Sequence, residues 1–223
     1  MPNSDLAQFV HIPVDTVTLE GMLMVPRGTP GVVLFAHGSG SSRHSPRNTF
    51  VAEVLQQAGL GTLLIDLLSQ EEDVSYEARF DIHLLAERLT AATQWLRAQP
   101  PTKDLSIGYF GASTGAAAAL EAAAALGPVI RAVVSRGGRP DLAWAALERV
   151  QASTLLIVGG RDDVVIELNQ RAYARLHAGK QLVIIPGATH LFEERGALPE
   201  VARLAAEWFS RYLLALPPAP DRK

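Results

Sequence analysis

Short apolar segments alternate with helix-length amphipathic segments along most of the chain. The apolar segments are rich in Val, Ile and Leu, as buried strands are, and they span residues 32–36, 60–67, 105–110, 132–135, 154–158 and 182–185. The amphipathic segments between them span residues 49–58, 79–98, 114–126, 142–150 and 167–176. Because parallel strands need long crossover connections that are usually helical, this alternation predicts an α/β fold with a mostly parallel sheet and helices on both faces.

The two ends of the chain extend this pattern. Residues 14–26 alternate less cleanly and end at Pro26, so we expect an antiparallel hairpin at one edge of the sheet. Residues 199–216 are expected to form a final helix, and the proline-rich residues 217–223 are expected to be a disordered tail. No repeat or linker divides the sequence, which predicts one domain over residues 1–216.

Composition narrows the choice of partners. With 20 Lys and Arg against 23 Asp and Glu, the net charge is −3, which argues against nucleic acid or an anionic membrane as the main partner. The absence of cysteine excludes disulfides, thiolate chemistry and Cys-ligated zinc. There is no visible signal peptide and no apolar stretch of about 18 residues, so we expect a soluble, cytoplasmic monomer or homodimer.

The segment GASTG, residues 111–115, fits the pattern G-x-S-x-G and lies between a predicted strand and a predicted helix. In a nucleophile elbow, this motif places a serine on a sharp strand-to-helix turn, where glycines avoid clashes with neighbouring backbone. The alternative is a glycine-rich turn with an idle serine. The combination of motif and setting predicts Ser113 as a nucleophile.

A serine hydroxyl becomes an effective nucleophile when a neighbouring base accepts its proton. Only His177 and His190 follow Ser113 in the chain. His177 lies near the end of a predicted helix, where it would interact with the helix terminus. His190 follows the predicted strand 182–185, at the carboxyl edge where the ends of parallel strands gather. We therefore predict His190 as the base.

The acid that orients the base is expected directly after strand 154–158, where Asp162 and Asp163 are adjacent. Only one of them can face His190. The pattern G-x-x-D-x-x-V over residues 159–165 favours Asp162, which leaves Asp163 as a solvated or helix-capping neighbour. Asp66 is a third possibility, although a residue that accepts backbone N–H groups within its own loop is the simpler interpretation.

The negatively charged oxygen that develops during acyl transfer needs two fixed hydrogen-bond donors, together called the oxyanion hole. The backbone N–H of Thr114, directly after the nucleophile, is the first expected donor. The second should come from the turn HGSG at residues 37–40, with Ser39 favoured over Gly40.

Five segments together resemble the α/β-hydrolase superfamily, and more closely its dienelactone-hydrolase-like branch: LFAHGSGSSRHSPRN, IGYFGASTGAAAAL, VVSRGGRPDL, LLIVGGRDDVV and PGATHLFEE. The resemblance runs from residue 32 to the last helix. It implies a triad of Ser113, Asp162 and His190. Dienelactone hydrolases carry cysteine where this chain has Ser113, so ester hydrolysis is expected rather than lactone cleavage. Some related members are fused to a phosphoribosyltransferase domain that has no counterpart in this sequence.

These inferences predict a serine hydrolase that cleaves small carboxylic esters through an acyl-enzyme and needs no cofactor. Only the 18 residues 136–153 lie where many members of the superfamily insert a lid, so we expect no cap domain. A lactonase, a small peptidase or a promiscuous phosphotriesterase with the same residues is an alternative, as is a catalytically silent binding module. The sequence contains no HExxH and no GxGxxG after its first strand, so neither a metal nor a dinucleotide site is expected.

Four arginines are predicted at the carboxyl edge near the nucleophile: Arg43, Arg47, Arg136 and Arg139. Guanidinium groups bind carboxylate or phosphate through paired hydrogen bonds. A small ester or lactone with an anionic group is therefore one expected substrate. The alternative is that the arginines pair with Asp66, Asp141 or Glu193 and hold the loops in place.

Overall fold

Eight strands form one sheet in the computed structural model, which describes residues 5–213. The strands are β1 (Leu6–Val14), β2 (Val17–Val25), β3 (Gly31–Ala36), β4 (Gly61–Ile65), β5 (Ser106–Ala112), β6 (Ile130–Arg136), β7 (Ser153–Gly159) and β8 (Lys180–Ile185). Their order across the sheet is β1-β2-β4-β3-β5-β6-β7-β8. Strands β3 to β8 run parallel to one another, and β1 and β2 add an antiparallel edge. The predicted mostly parallel α/β sheet is confirmed.

Helices cover both faces of this sheet. Within residues 5–213 they are α1 (Pro46–Gln57), α2 (Tyr76–Phe80), α3 (Ile82–Ala98), α4 (Thr114–Leu126), α5 (Asp163–Arg175) and α6 (Ala197–Leu213). Successive residues of a buried strand point to opposite faces. Leu34 accordingly belongs to the apolar cluster that includes residues of α3 and α4, whereas Phe35 belongs to the cluster that includes residues of α1 and α6.

The amino-terminal hairpin is larger than predicted. It consists of β1 and β2, paired from Leu6 with Val25 to Val14 with Val17, so the prediction that the hairpin begins at residue 14 was wrong. The turn passes through Asp15, which has a φ of 50°. Strand β1 contains His11 and Pro13 on positions that face solvent, and these polar and proline residues hid the strand from a search for apolar runs.

Two predicted helices differ from the structure. The segment 79–98 is divided at Asp81, whose side chain accepts a hydrogen bond from Leu84 N–H and starts α3 as a cap. The segment 142–150 is not an α-helix but contains parts of two short 3₁₀ turns, with backbone bonds between residues three apart. Buried residues three and four apart suit both helix types, so the apolar pattern could not separate them. The predicted tail 217–223 and the end of the last helix lie outside the described residues.

The parallel strands place the loops after β3, β5, β6, β7 and β8 at one edge of the sheet. Between β6 and β7, residues 137–152 form a short connection and contain no inserted domain. This edge is therefore uncapped at the position where a lid would be inserted. Within residues 5–213, no helix is both long and apolar enough to cross a membrane.

Candidate active site

Ser113 lies on a strained turn between β5 and α4. Its φ of 51° and ψ of −121° are unfavourable for a residue with a side chain, at a cost of about 1–3 kcal/mol. Two backbone hydrogen bonds hold this conformation: Ser113 N–H donates to Arg136 O at 3.2 Å, and Arg139 N–H donates to Ser113 O at 3.1 Å. The loop after β6 therefore fixes the serine, which is partly exposed at the edge of the sheet.

The glycines of the motif let α4 approach the sheet closely. A Cβ on Gly111 would lie 2.4 Å from Ala116 Cα, and a Cβ on Gly115 would lie 2.2 Å from Ala36 O. Both distances are far shorter than any tolerated contact with backbone. The motif therefore reflects a packing requirement on both sides of Ser113, as the elbow interpretation expected.

Asp162 and His190 are joined by a hydrogen bond. Asp162 Oδ2 lies 2.6 Å from His190 Nδ1, and the Asp162 side chain is 16% exposed. Asp162 precedes the first residue of α5, yet its carboxylate makes no capping bond to that helix and is directed to His190 instead. Asp163 begins α5 and is exposed. Of the two adjacent aspartates, the structure thus brings Asp162 to the histidine.

The loops that carry Asp162 and His190 touch through their backbones. Arg161 N–H donates to Ala188 O at 2.9 Å, and Gly160 N–H donates to Ile185 O at 2.8 Å. A Cβ on Gly159 would lie 2.5 Å from Thr189 O, so a side chain at this position would push the loops apart. The relative placement of Asp162 and His190 is therefore set by main-chain contacts.

His190 lies within a tight turn. Phe192 N–H donates to Thr189 O at 3.2 Å, and Phe192 is buried with a φ of 57°. The next contact is with the loop after β6, because a Cβ on Gly137 would lie 3.4 Å from His190 Cε1. That same loop holds Ser113 through Arg136 and Arg139. Ser113 and His190 therefore lie against one short segment.

The turn after β3 lies against the nucleophile. A Cβ on Gly38 would lie 3.1 Å from Ser113 Cβ. His37 Nε2 accepts from Leu67 N–H at 3.4 Å, so its Nδ1–H donates to Gly38 O at 3.0 Å. Because Gly38 C=O and Ser39 N–H belong to one peptide group, His37 orients the Ser39 N–H as well.

The two predicted oxyanion-hole residues contact each other. Ser39 N–H donates to Thr114 Oγ1 at 2.9 Å. The Thr114 N–H is at the first position of α4, where no partner within the helix exists. The sequence predicts both backbone groups as donors but not the contact of the Thr114 hydroxyl, for which the residue type was the only available signal.

Three of the four arginines are paired with the carboxylates named as their alternatives. Arg43 pairs with Asp66 and, at 2.7 Å, with Glu20. Arg47 lies 3.1 Å from Glu193, and Arg139 makes two bonds to Asp141 at 2.9 and 2.8 Å. Asp66 also accepts from Arg43 N–H at 2.6 Å. These pairs hold loops in place, so they weaken the expectation that Arg43, Arg47 and Arg139 bind substrate.

Arg136 differs from the other three. It is 8% exposed, and within residues 5–213 no carboxylate lies at ion-pair distance from it. Its Nε and Nη1 are buried without hydrogen-bond partners, and its guanidinium lies 6.0 Å from the centre of the Phe192 ring. Burial, and then the positive charge of Arg47, lowers the pKa of Arg136 to about 10. A buried cation without a carboxylate partner among residues 5–213, close to the turn that carries His190, is a candidate for an anion-binding group.

The remaining histidines lie apart from this arrangement. His11 and His44 are exposed, His83 contacts Glu121 on the α3–α4 side, and His177 is exposed after α5. In the described part of the chain, no three His, Cys, Asp or Glu side chains are grouped so that they could hold a metal ion.

Residues 19–216 match the model of the dienelactone hydrolase family. The crystal structure of a dienelactone hydrolase from Anabaena variabilis is 59% identical, with a TM-score of 0.92 over 95% of this chain and 100% of that chain. A dienelactone hydrolase-like promiscuous phosphotriesterase from metagenomic libraries shares the fold, with 20% identity and a TM-score of 0.77 over 94% of this chain and 99% of that one.

A protein from Mycobacterium tuberculosis named as a phosphoribosyl transferase is 59% identical over 204 residues. These residues make up 92% of this chain and 46% of that protein. The chain therefore spans about half the length of this curated relative.

Proposed function

Because this chain belongs to the dienelactone hydrolase family, we propose that it hydrolyses small carboxylic esters through an acyl-enzyme on Ser113. The observation that carries this proposal is the 2.6 Å contact between Asp162 and His190, at the sheet edge where Ser113 occupies a strained elbow. A serine, then a carboxylate, then a histidine along the chain is the order typical of esterases with this fold.

In the proposed reaction, Ser113 Oγ attacks the ester carbonyl while His190 Nε2 accepts the hydroxyl proton. Asp162 holds the Nδ1–H of His190 and stabilises the positive charge that the ring acquires. The intermediate collapses when the alcohol leaves with the proton from His190. Water then attacks the acyl-enzyme with His190 again as the base, which releases the acid and restores Ser113.

The experiment that tests this function is a screen of p-nitrophenyl esters of increasing chain length, lactones and phosphotriesters, with the Ser113→Ala variant as control. Turnover of short esters that disappears in the variant supports the proposal. Preferential turnover of lactones or phosphotriesters by Ser113 would reassign the substrate class while keeping the nucleophile. Activity that survives in Ser113→Ala would contradict the mechanism.

Arg136 supports a preference for esters that carry an anionic group. Its guanidinium lies against Phe192 in the turn that carries His190 and has no carboxylate partner among residues 5–213, and we propose that an anionic group of the substrate takes that place. We expect Arg136→Met to lower kcat/KM for the p-nitrophenyl monoester of glutaric acid by about 10- to 150-fold, which corresponds to roughly 1.5–3 kcal/mol. Hydrolysis of neutral p-nitrophenyl hexanoate should change little.

The control is Arg139→Met, which removes an arginine already paired with Asp141. It should not separate the charged ester from the neutral one. Equal losses for both esters in Arg136→Met would mean that Arg136 has a structural role.

The buried charge of Arg136 should also lower the free energy of unfolding. Its pKa is lower in the folded protein than in the unfolded chain, so folding disfavours the charged form. This destabilisation is fully present below a pH of about 10 and is lost as the pH rises past the unfolded value. Arg136→Met should therefore raise the free energy of unfolding at pH 7 by about 1–3 kcal/mol, measured by urea denaturation. A less stable variant would show that the buried arginine is needed for packing.

A further inference from the structure

The Thr114 hydroxyl contacts one of the two predicted oxyanion donors, the Ser39 N–H, and belongs to the residue that carries the other. Its oxygen accepts the Ser39 N–H at 2.9 Å, so that N–H is already engaged before any substrate is bound. Thr114 is 2% exposed, whereas Ser39 is exposed. Because the Ser39 N–H is engaged in this bond, the Thr114 hydroxyl is the remaining candidate donor on this side of the site.

The Thr114 hydroxyl is also able to donate a hydrogen bond. A hydroxyl can accept and donate at once, and among residues 5–213 no acceptor receives the Thr114 proton. Some other buried threonines donate theirs to backbone carbonyls, as Thr93 does to Leu89 O at 2.9 Å and Thr154 to Ala152 O at 3.0 Å. At Thr114 the donor of a nearly fully buried side chain is left without a partner.

The position of this donor matches the reaction. Thr114 directly follows Ser113, and its own N–H is free at the start of the 13-residue helix α4. The carbonyl oxygen of a substrate under attack by Ser113 Oγ must lie close to that N–H. The hydroxyl of the same residue is then within reach of the same oxygen.

We propose that the Thr114 hydroxyl is a direct hydrogen-bond donor to the oxyanion, with the Ser39 N–H behind it. This inference rests on the proposed ester hydrolysis. When Ser113 Oγ adds to the carbonyl, the electron pair of the C=O bond moves to the oxygen, which accepts from Thr114 N–H and Thr114 Oγ1–H. The proton stays on Oγ1 throughout. The bond from Ser39 N–H polarises the hydroxyl and makes it a stronger donor.

The test compares Thr114→Val, which keeps the shape and removes the hydroxyl, with Thr114→Ser, which keeps the hydroxyl. Loss of one oxyanion donor lowers kcat by about 10²- to 10³-fold in enzymes of this type. We expect a fall of about 100-fold in kcat for Thr114→Val, with KM changed less than about threefold. Thr114→Ser should retain most of the activity.

Thr154→Val is the matched control, because it removes a buried hydroxyl near the start of β7, at the opposite edge of the sheet from Ser113. It should alter the melting temperature but not kcat. A trifluoromethyl ketone, which forms a charged adduct with Ser113, should bind Thr114→Val more weakly by the same factor as the fall in kcat/KM. A role limited to holding the turn after β3 would not produce this proportionality.

Thr114→Val with kcat within threefold of the wild type, or with a higher kcat, would overturn the inference, since the hydroxyl would then be idle or obstructive. A rise in KM with unchanged kcat would overturn it as well. An inactive wild type whose Ser113 is not labelled by a fluorophosphonate would instead refute the proposed function itself. The two failures are therefore distinguishable.

Discussion

Ser113→Ala and His190→Ala are each expected to lower kcat for a reactive ester by about 10⁴-fold or more. The first change removes the atom that we propose forms the acyl-enzyme. The second removes the side chain that bonds to Asp162 and lies against the segment that holds Ser113. Burst and steady-state release of p-nitrophenol from a short acyl ester measure both effects.

His177→Ala is the matched control for the histidine. It is the other histidine after Ser113 in the chain, and it is exposed beyond the end of α5. Its removal should leave kcat unchanged. If either Ser113→Ala or His190→Ala kept a tenth of the wild-type activity, with a folded protein shown by circular dichroism, the assignment of the triad would be refuted.

Asp162→Asn is expected to be nearly as severe, with a loss of up to about 10⁴-fold in kcat, whereas Asp163→Asn should be mild. An asparagine at position 162 can present its amide NH₂ to His190 Nδ1, which favours the ring tautomer with its proton on the nitrogen needed to accept from Ser113. Asp163 is exposed in the first turn of α5 and has no contact of this kind.

The two asparagine variants form a closely matched pair, because they make the same change in charge at adjacent positions. Their kcat values and melting temperatures should be measured together. The reverse ranking of activities would assign the acid to Asp163. A large loss of stability in Asp162→Asn alone would point to a role in holding the β7 and β8 loops rather than in proton transfer.

The strands of the parallel sheet could be predicted because each is a short, almost wholly apolar run. The edge strand β1 could not, since only alternate residues are buried and Pro13 and His11 interrupt the pattern. The division of 79–98 at Asp81 depends on a side chain that caps a helix, and an aspartate can equally lie on a solvated helix face. Local composition does not decide between these outcomes.

The candidate site could likewise be predicted only in part from the sequence. The elbow motif predicts the strained turn at Ser113 because its glycines are required where the backbone packs too closely for a side chain. By contrast, the arginines share one residue type and one edge, and only the fold separates the paired Arg43, Arg47 and Arg139 from the buried Arg136. The hydroxyl of Thr114 acquires its partner from a residue 75 positions away. Such contacts depend on the tertiary structure, so a single sequence does not reveal them.

The main-chain contacts between the β7 and β8 loops bear on how proteins of this design can diverge. Asp162 and His190 are held together by backbone bonds and by the lack of a side chain at Gly159, none of which involves the turn after β3. Substitutions of an exposed residue in that turn, such as His44, can therefore accumulate without altering the contacts between Asp162 and His190. Proteins of this design can therefore differ in the turn after β3 while the contacts between the β7 and β8 loops stay the same.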